Sequence, residues 1–119
     1  MKTILFDTNF LVEIIKFKIN LFSELERVCD FNFEVKVLDK TITELEKINS
    51  KESKISLNLI KKKIKIIKTE SDKIVDDILL EIAGENTIVA TQDKLLKKKL
   101  KQKNIKTLII RQKKYLVII

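Results

Sequence analysis

Short runs of β-branched and apolar residues alternate with longer stretches of helical spacing along nearly the whole chain, and no other feature limits its possible folds so severely. The strand-like runs are Thr3 to Phe6, Glu34 to Leu38, Ile64 to Lys68, Thr87 to Ala90 and Lys106 to Arg111, with a candidate sixth at Tyr115 to Ile119. Between them lie Phe10 to Cys29, read as two helices, Thr41 to Lys63 with a break near Ser50, Asp72 to Ala83, and Lys94 to Lys103. The order β-α-β-α-β-α-β-α-β predicts parallel strands joined by right-handed crossovers, with helices packed on both faces of the sheet. The only glycine, Gly84, follows Ala83 where a helix C-cap is expected. No internal repeat, linker or low-complexity segment interrupts the pattern.

A chain of 119 residues, 45% hydrophobic and 35% charged, has the apolar content for one core, so residues 1–119 are expected to form a single domain. Its apolar stretches are short and flanked by lysines, which excludes a transmembrane helix. The start MKTILFDTN has no signal-peptide cleavage pattern, so a cytoplasmic location is expected. Cys29 is the only cysteine, offers neither a disulfide framework nor a metal knuckle, and is expected to pack. The net charge of +8 suits a polyanionic partner, because clustered lysines neutralise phosphates and release their counterions. A composition rich in Lys, Ile and Asn explains the same charge equally well. The clusters Lys61-Lys62-Lys63, Lys97-Lys98-Lys99 and Lys113-Lys114 are the places where a partner would bind.

In an open α/β sheet, ligands bind outside the carboxyl ends of the strands, where the chain reverses its direction of winding. The first strand runs into Asp7 within "ILFDTNFL", and the fourth, "TIVATQD", into Thr91 and Asp93. Both ends face one edge of the sheet. The helices after strands two and three start at that edge and carry Glu44 in "DKTITELEKI" and Asp76-Asp77 in "DKIVDDILLEIA". Each acid also has a structural reading. Asp7 and Asp93 stand where helix N-caps belong, Glu44 is three residues after Thr41 as in a capping box, and Asp76 and Asp77 flank an apolar stripe.

Taken together the acids require more than caps, because carboxylates held close repel unless a cation sits among them. Oxygen-only ligation selects Mg²⁺ or Mn²⁺ rather than zinc, and the chain contains no histidine for Ser-His-Asp or imidazole acid–base chemistry. There is no glycine-rich phosphate loop either. Metal-assisted hydrolysis remains.

The ordered set "ILFDTNFL", Glu44, "VDDILLEIA" and "TIVATQDKLLKKKL" resembles the PIN-domain family of metal-dependent ribonucleases, over essentially the whole chain. The ending "TLIIRQKKYLVII" resembles the small archaeal PIN proteins similar to rRNA-processing nucleases, with VapC toxins more distant. The resemblance implies a three-layer α/β/α fold with a central, mainly parallel five-stranded sheet. It implies an endoribonuclease that cleaves phosphodiester bonds with one or two Mg²⁺ or Mn²⁺ ions. Asp7, Glu44, Asp76 and Asp93 match the family's metal-binding and catalytic acids, and Thr8 and Thr91 its supporting hydroxyls. Asp77 adjoins Asp76 and remains the alternative third acid. Single-stranded or looped RNA is the implied substrate, with Lys97, Lys98 and Arg111 as candidate contacts to its phosphates. A homodimer, an antitoxin or a ribosome-assembly partner are the protein contacts such families suggest.

Two rival readings share these features. A phospho-receiver domain also gathers acids at strand ends, but it needs a phosphate acceptor after strand three, where this chain has Thr69-Glu70, and a lysine directly after strand five. A PIN-like module that binds RNA or protein without cutting differs only in turnover.

Overall fold

A computed structural model describes residues 1–119. The chain runs β1 (Lys2–Phe6), α1 (Thr8–Lys16), α2 (Leu21–Val28), β2 (Phe33–Leu38), α3 (Asp39–Ile48), α4 (Lys51–Lys63), β3 (Lys65–Ile67), α5 (Val75–Ile82), β4 (Thr87–Ala90), α6 (Lys94–Gln102), β5 (Lys106–Arg111) and β6 (Tyr115–Ile118). The strands form one sheet in the order β3-β2-β1-β4-β5-β6. The first five are parallel, and β6 returns antiparallel along β5. The winding direction therefore reverses between β1 and β4, and the crevice belongs at their carboxyl ends.

Helices cover both faces, giving the three-layer α/β/α arrangement. Alternate strand residues Ile4, Phe6, Val35, Val37, Ile88 and Ala90 meet α1 to α4 through Phe10, Ile14, Leu25, Leu45 and Ile60. Their neighbours Leu5, Leu38 and Val89 point the other way, against Val75, Ile78 and Leu79 of α5 and Leu96 and Leu100 of α6. Phe6 and Phe10 stack with ring centroids 5.8 Å apart, which pins the start of α1 against the end of β1. Cys29 closes α2, half-buried against this core, and burial pushes its thiol pKa up. No helix is long and apolar enough to cross a membrane.

The sheet has six strands rather than the five that the resemblance implies, and the candidate sixth at Tyr115 to Ile119 is β6. Leu116 is fully buried and anchors β6, whose register pairs Ile110 with Leu116 and Arg111 with Tyr115. The hairpin turns through Gln112 and Lys113, both with left-handed backbones (φ 54° and 56°), and closes with Lys114 N–H donating to Arg111 C=O. That turn usually announces itself with Asn or Gly, and here neither is present.

Two expected caps are also corrected. Helix α5 ends on Ala83, whose backbone is extended (φ −65°, ψ 126°), so Gly84 is not a left-handed C-cap. Its N–H instead donates to Thr87 Oγ1. Helix α3 begins at Asp39, two residues before Thr41, so Thr41 and Glu44 lie inside the helix and form no capping box. Asp39 there accepts from the Thr69 N–H and hydroxyl, which holds its pKa below the usual carboxylate range and ties the end of β2 to the chain leaving β3. The break near Ser50 is as expected: Ser50 and Ser53 cap α4 reciprocally.

Candidate active site

Asp7 follows the last residue of β1 and is 6% exposed. Its N–H donates to Ala90 C=O at 2.9 Å, so the β1–β4 ladder continues up to the acid. Although Asp7 stands at the N-cap position of α1, its side chain caps nothing in that helix. The carboxylate Oδ2 instead accepts from Thr91 Oγ1 at 2.8 Å. Thr91 is completely buried, and its hydroxyl oxygen also accepts from the Asp93 N–H at 3.1 Å. One threonine thus braces two acids that are distant in sequence. Asp93 is exposed and does cap α6, its Oδ1 accepting from Leu96 N–H at 2.8 Å.

Glu44 reaches the same place from the second turn of α3. Thr8 Oγ1 donates to its carboxylate and also lies 3.2 Å from Thr41 Oγ1. A hydroxyl carries one proton, so with that proton directed at Glu44 the Thr8 oxygen takes Thr41 as its donor. Thr41 is fully buried, and the sequence suggested it only as a capping partner of Glu44, not as a support for Thr8. Its only signal there was its position one turn before Glu44.

Asp7, Glu44 and Asp76 line one cleft of about 420 Å³, with Asn9, Lys47, Ile48 and Ile74 at its walls. Asp76 also lines an adjoining hollow with Asp77, Asp93 and Lys99. Asp76 is half-buried and faces both spaces, whereas Asp77 is exposed and lines only the second. All four acids of the expected set and the alternative Asp77 are therefore gathered at one edge, as are Thr8 and Thr91.

Electrostatics reflect the crowding. The Asp7 carboxyl is pushed up to about 6, by burial first and then by the charges of Asp76 and Glu44, against the Thr91 hydroxyl and Thr8 N–H, which hold it down. Asp76 is raised too, by burial first and then by Asp93, Glu44 and Asp77, with Lys99 opposing. None of the four acids makes an ion pair. Nor do any three carboxylates stand together at metal-ligating geometry, since Asp7 leans on Thr91, Glu44 on Thr8 and Asp93 on an amide of α6.

The lysine cluster Lys97-Lys98-Lys99 is divided by the helix, whose residues turn through about 100° each. Lys99 faces the acids, while Lys97 and Lys98 face away, beside the β5 edge. Arg111 is exposed at the carboxyl end of β5, the edge that bears the acids.

Gln92 was also missed. Its side-chain Nε2 donates to Ile110 C=O at 3.1 Å, and its Oε1 accepts from Ile110 N–H at 2.7 Å. The amide replaces the next rung of the β4–β5 ladder and holds the loop that presents Asp93. Only tertiary pairing makes this visible, because Gln in a loop carries no pattern of its own. Replacing Gln92 with Leu leaves both Ile110 groups unpaired and is expected to cost about 1–3 kcal/mol in urea unfolding. A loss below a few tenths of that would show water serves them equally well.

Comparison with known proteins agrees with this architecture. Residues 4–113 match the family model of the PIN-like domain. Ribonuclease VapC4 of Methanocaldococcus jannaschii is 40% identical over 118 residues, which covers 92% of this chain and 90% of that protein. The solved structure of the PIN domain endonuclease Utp24 superimposes with a TM-score of 0.85 at 24% identity, covering 98% of this chain and 90% of that one, a likeness of fold. With the family match running from β1 through β5 and that level of identity along nearly the full length, the chain belongs to the PIN-like domain family.

Proposed function

We propose that the protein is a metal-dependent endoribonuclease, with Asp7, Glu44, Asp76 and Asp93 as its acidic centre. The observation that carries this reading is Asp7: a buried carboxylate with acidic neighbours, no cationic partner, and a hydroxyl aimed at it. Such a group is costly unless a cation enters. The 40% identity to a ribonuclease supports RNA as the substrate class.

The donor set fits a hard divalent ion, Mg²⁺ or Mn²⁺, because every candidate ligand is oxygen and no histidine exists in the chain. When bound, the ion supplies positive charge to the phosphodiester and makes water acidic enough to attack at neutral pH. The chain's own residues do the rest. Asp7, directly after β1, and Asp93, at the N-cap of α6, are the rigid members, the first braced by the Thr91 hydroxyl at its carboxylate and the second at its backbone N–H. Glu44 is held through Oε1 by the Thr8 hydroxyl, which is itself paired with Thr41. Asp76 stands between cleft and hollow, with Asp77 more exposed and the weaker candidate. Lys99 lies close enough to Asp76 to favour its charged form and to meet a substrate phosphate.

Incubating the protein with a structured RNA in Mn²⁺, Mg²⁺ or EDTA tests the reading. Products are expected with either metal and none in EDTA, and Glu44→Gln is expected to lower the rate at least tenfold. RNA retained without any metal-dependent product would leave a binding module instead.

A further inference from the structure

If the acidic cleft takes the scissile phosphate, as the nuclease reading requires, an RNA strand also needs somewhere to lie on either side of it. On the far flank of α6 is a groove of about 440 Å³ between that helix and the β5–β6 edge of the sheet. One wall is a row of lysines, Lys94, Lys97, Lys98 and Lys101, at the i, i+3, i+4, i+7 spacing that places them on one helical stripe. The floor includes Thr107 and Ile119, which are paired across the two strands through reciprocal main-chain hydrogen bonds of 3.0 and 2.8 Å. No Asp or Glu side chain lines it, and none of the four lysines makes an ion pair. The charge is unbalanced within the groove.

Its direction links it to the acids. Helix α6 starts immediately after Asp93, so Lys94 is at the acidic edge and Lys101 two turns away from it. Along β5, Leu108 and Ile110 face the α1–α4 core, so the alternate residues Thr107, Ile109 and Arg111 face the α6 side. Arg111 ends that strand at the acidic edge. Cationic groups therefore begin beside the cleft, at Lys94 and Arg111, and continue down the groove at intervals of about one helical turn, 5.4 Å. The lysine clusters on α4 and in the β5–β6 turn show no such row. Lys61 to Lys63 end α4 just before β3 starts, at the edge opposite the acids, and Lys113 lies over the Phe17 ring of the α1 layer.

We propose that this groove is the track for the backbone of single-stranded RNA leaving the acidic cleft, with the lysine stripe neutralising successive phosphates while bases lie against the aliphatic floor. A single strand is favoured because the groove has a partly apolar floor, formed with Ile105 and Ile119, against which unpaired bases can lie. The proposal rests on the nuclease reading for its substrate, yet its test is binding and does not depend on cleavage.

The measurement is fluorescence anisotropy of a labelled oligouridylate titrated with protein in EDTA over a series of salt concentrations. Neutralising two lysines in Lys98→Gln/Lys101→Gln is expected to make the log K against log salt slope shallower by about 1.4, which weakens binding about 25-fold near 0.1 M salt. Lys98→Arg/Lys101→Arg should keep the slope, and Lys61→Gln/Lys62→Gln, with the same loss of charge, should bind as the parent does. Equal effects from the α4 and α6 pairs would overturn the track and leave only net charge. So would an RNA duplex or polyglutamate of matched charge binding as tightly as the single strand. A protein that binds along α6 but never cleaves would refute the nuclease reading and keep this one.

Discussion

Replacing Asp7 with Asn is expected to abolish metal-dependent cleavage while making the metal-free protein more stable at neutral pH. The activity loss follows from removing the most rigid acid of the centre. Several kcal/mol of transition-state stabilisation correspond to roughly 10²–10⁴ in rate. The stability gain follows from linkage. Folding raises the Asp7 pKa from 3.8 to about 6, so the folded state holds this proton more tightly than the unfolded state does. Below the unfolded value both states are protonated and the side chain costs nothing. As pH rises from about 4 to about 6 the unfolded chain releases its proton first, and stability falls. Above about 6 the full penalty of ~3 kcal/mol is present. Asn carries no charge and escapes it, so denaturant unfolding in EDTA should show the variant ahead by up to that amount near pH 8 and level with the parent near pH 3.5. A variant less stable than the parent at both pH values would mean that Asp7 is not a strained acid, and the case for a cation at this edge would lose its main support.

Thr91→Val keeps the shape of a fully buried residue and deletes the hydroxyl that joins Asp7 to the Asp93 amide. Three consequences are expected. Stability drops by about 1–3 kcal/mol, because the Asp93 N–H loses its acceptor. Cleavage falls 10–100-fold, the usual cost of removing a group that orients a ligand. The acid limb of the pH–rate profile moves to higher pH, since the bond that holds the Asp7 pKa down is gone. Thr91→Ser should restore all three, as it returns the hydroxyl. If Val lowers stability but leaves the profile where it was, Thr91 is a packing residue and the acids are positioned without it.

How far the site was legible depended on the residue. Asp7 and Asp93 could be read because a strand run that ends on a carboxylate has a predictable place in a parallel sheet. Glu44 and Asp76 could be placed at that edge from helix order, yet their neighbours could not. Nothing local predicts that Thr8 turns towards Glu44 on α3, or that Gln92 stands in for a strand rung against Ile110. Three adjacent lysines look like one patch in a line of letters. On α6 they become two surfaces, with Lys99 beside the acids and Lys98 in the groove behind them.

The β5–β6 turn and the two revised caps show the same limit, although the sixth strand itself was readable as a candidate at Tyr115 to Ile119. Turn residues Gln112 and Lys113 have no intrinsic preference for left-handed backbone, and the hairpin exists because Leu116 fills the core on the α1–α4 side. Thr41 has the spacing of a cap, but α3 starts two residues earlier, at Asp39, whose side chain is engaged by Thr69 from a different part of the chain.

Residue order alone therefore determined the alternation of strands and helices, through local side-chain spacing, and the edge on which the acids stand, because parallel strands joined by helices bring their carboxyl ends to one side. Which hydroxyl braces which carboxylate, how far Asp7 is removed from water, and where the lysines form a row were decided only by tertiary packing. Those properties depend on groups from separate elements being held within hydrogen-bond distance and shielded together, and no local stretch of chain carries that information.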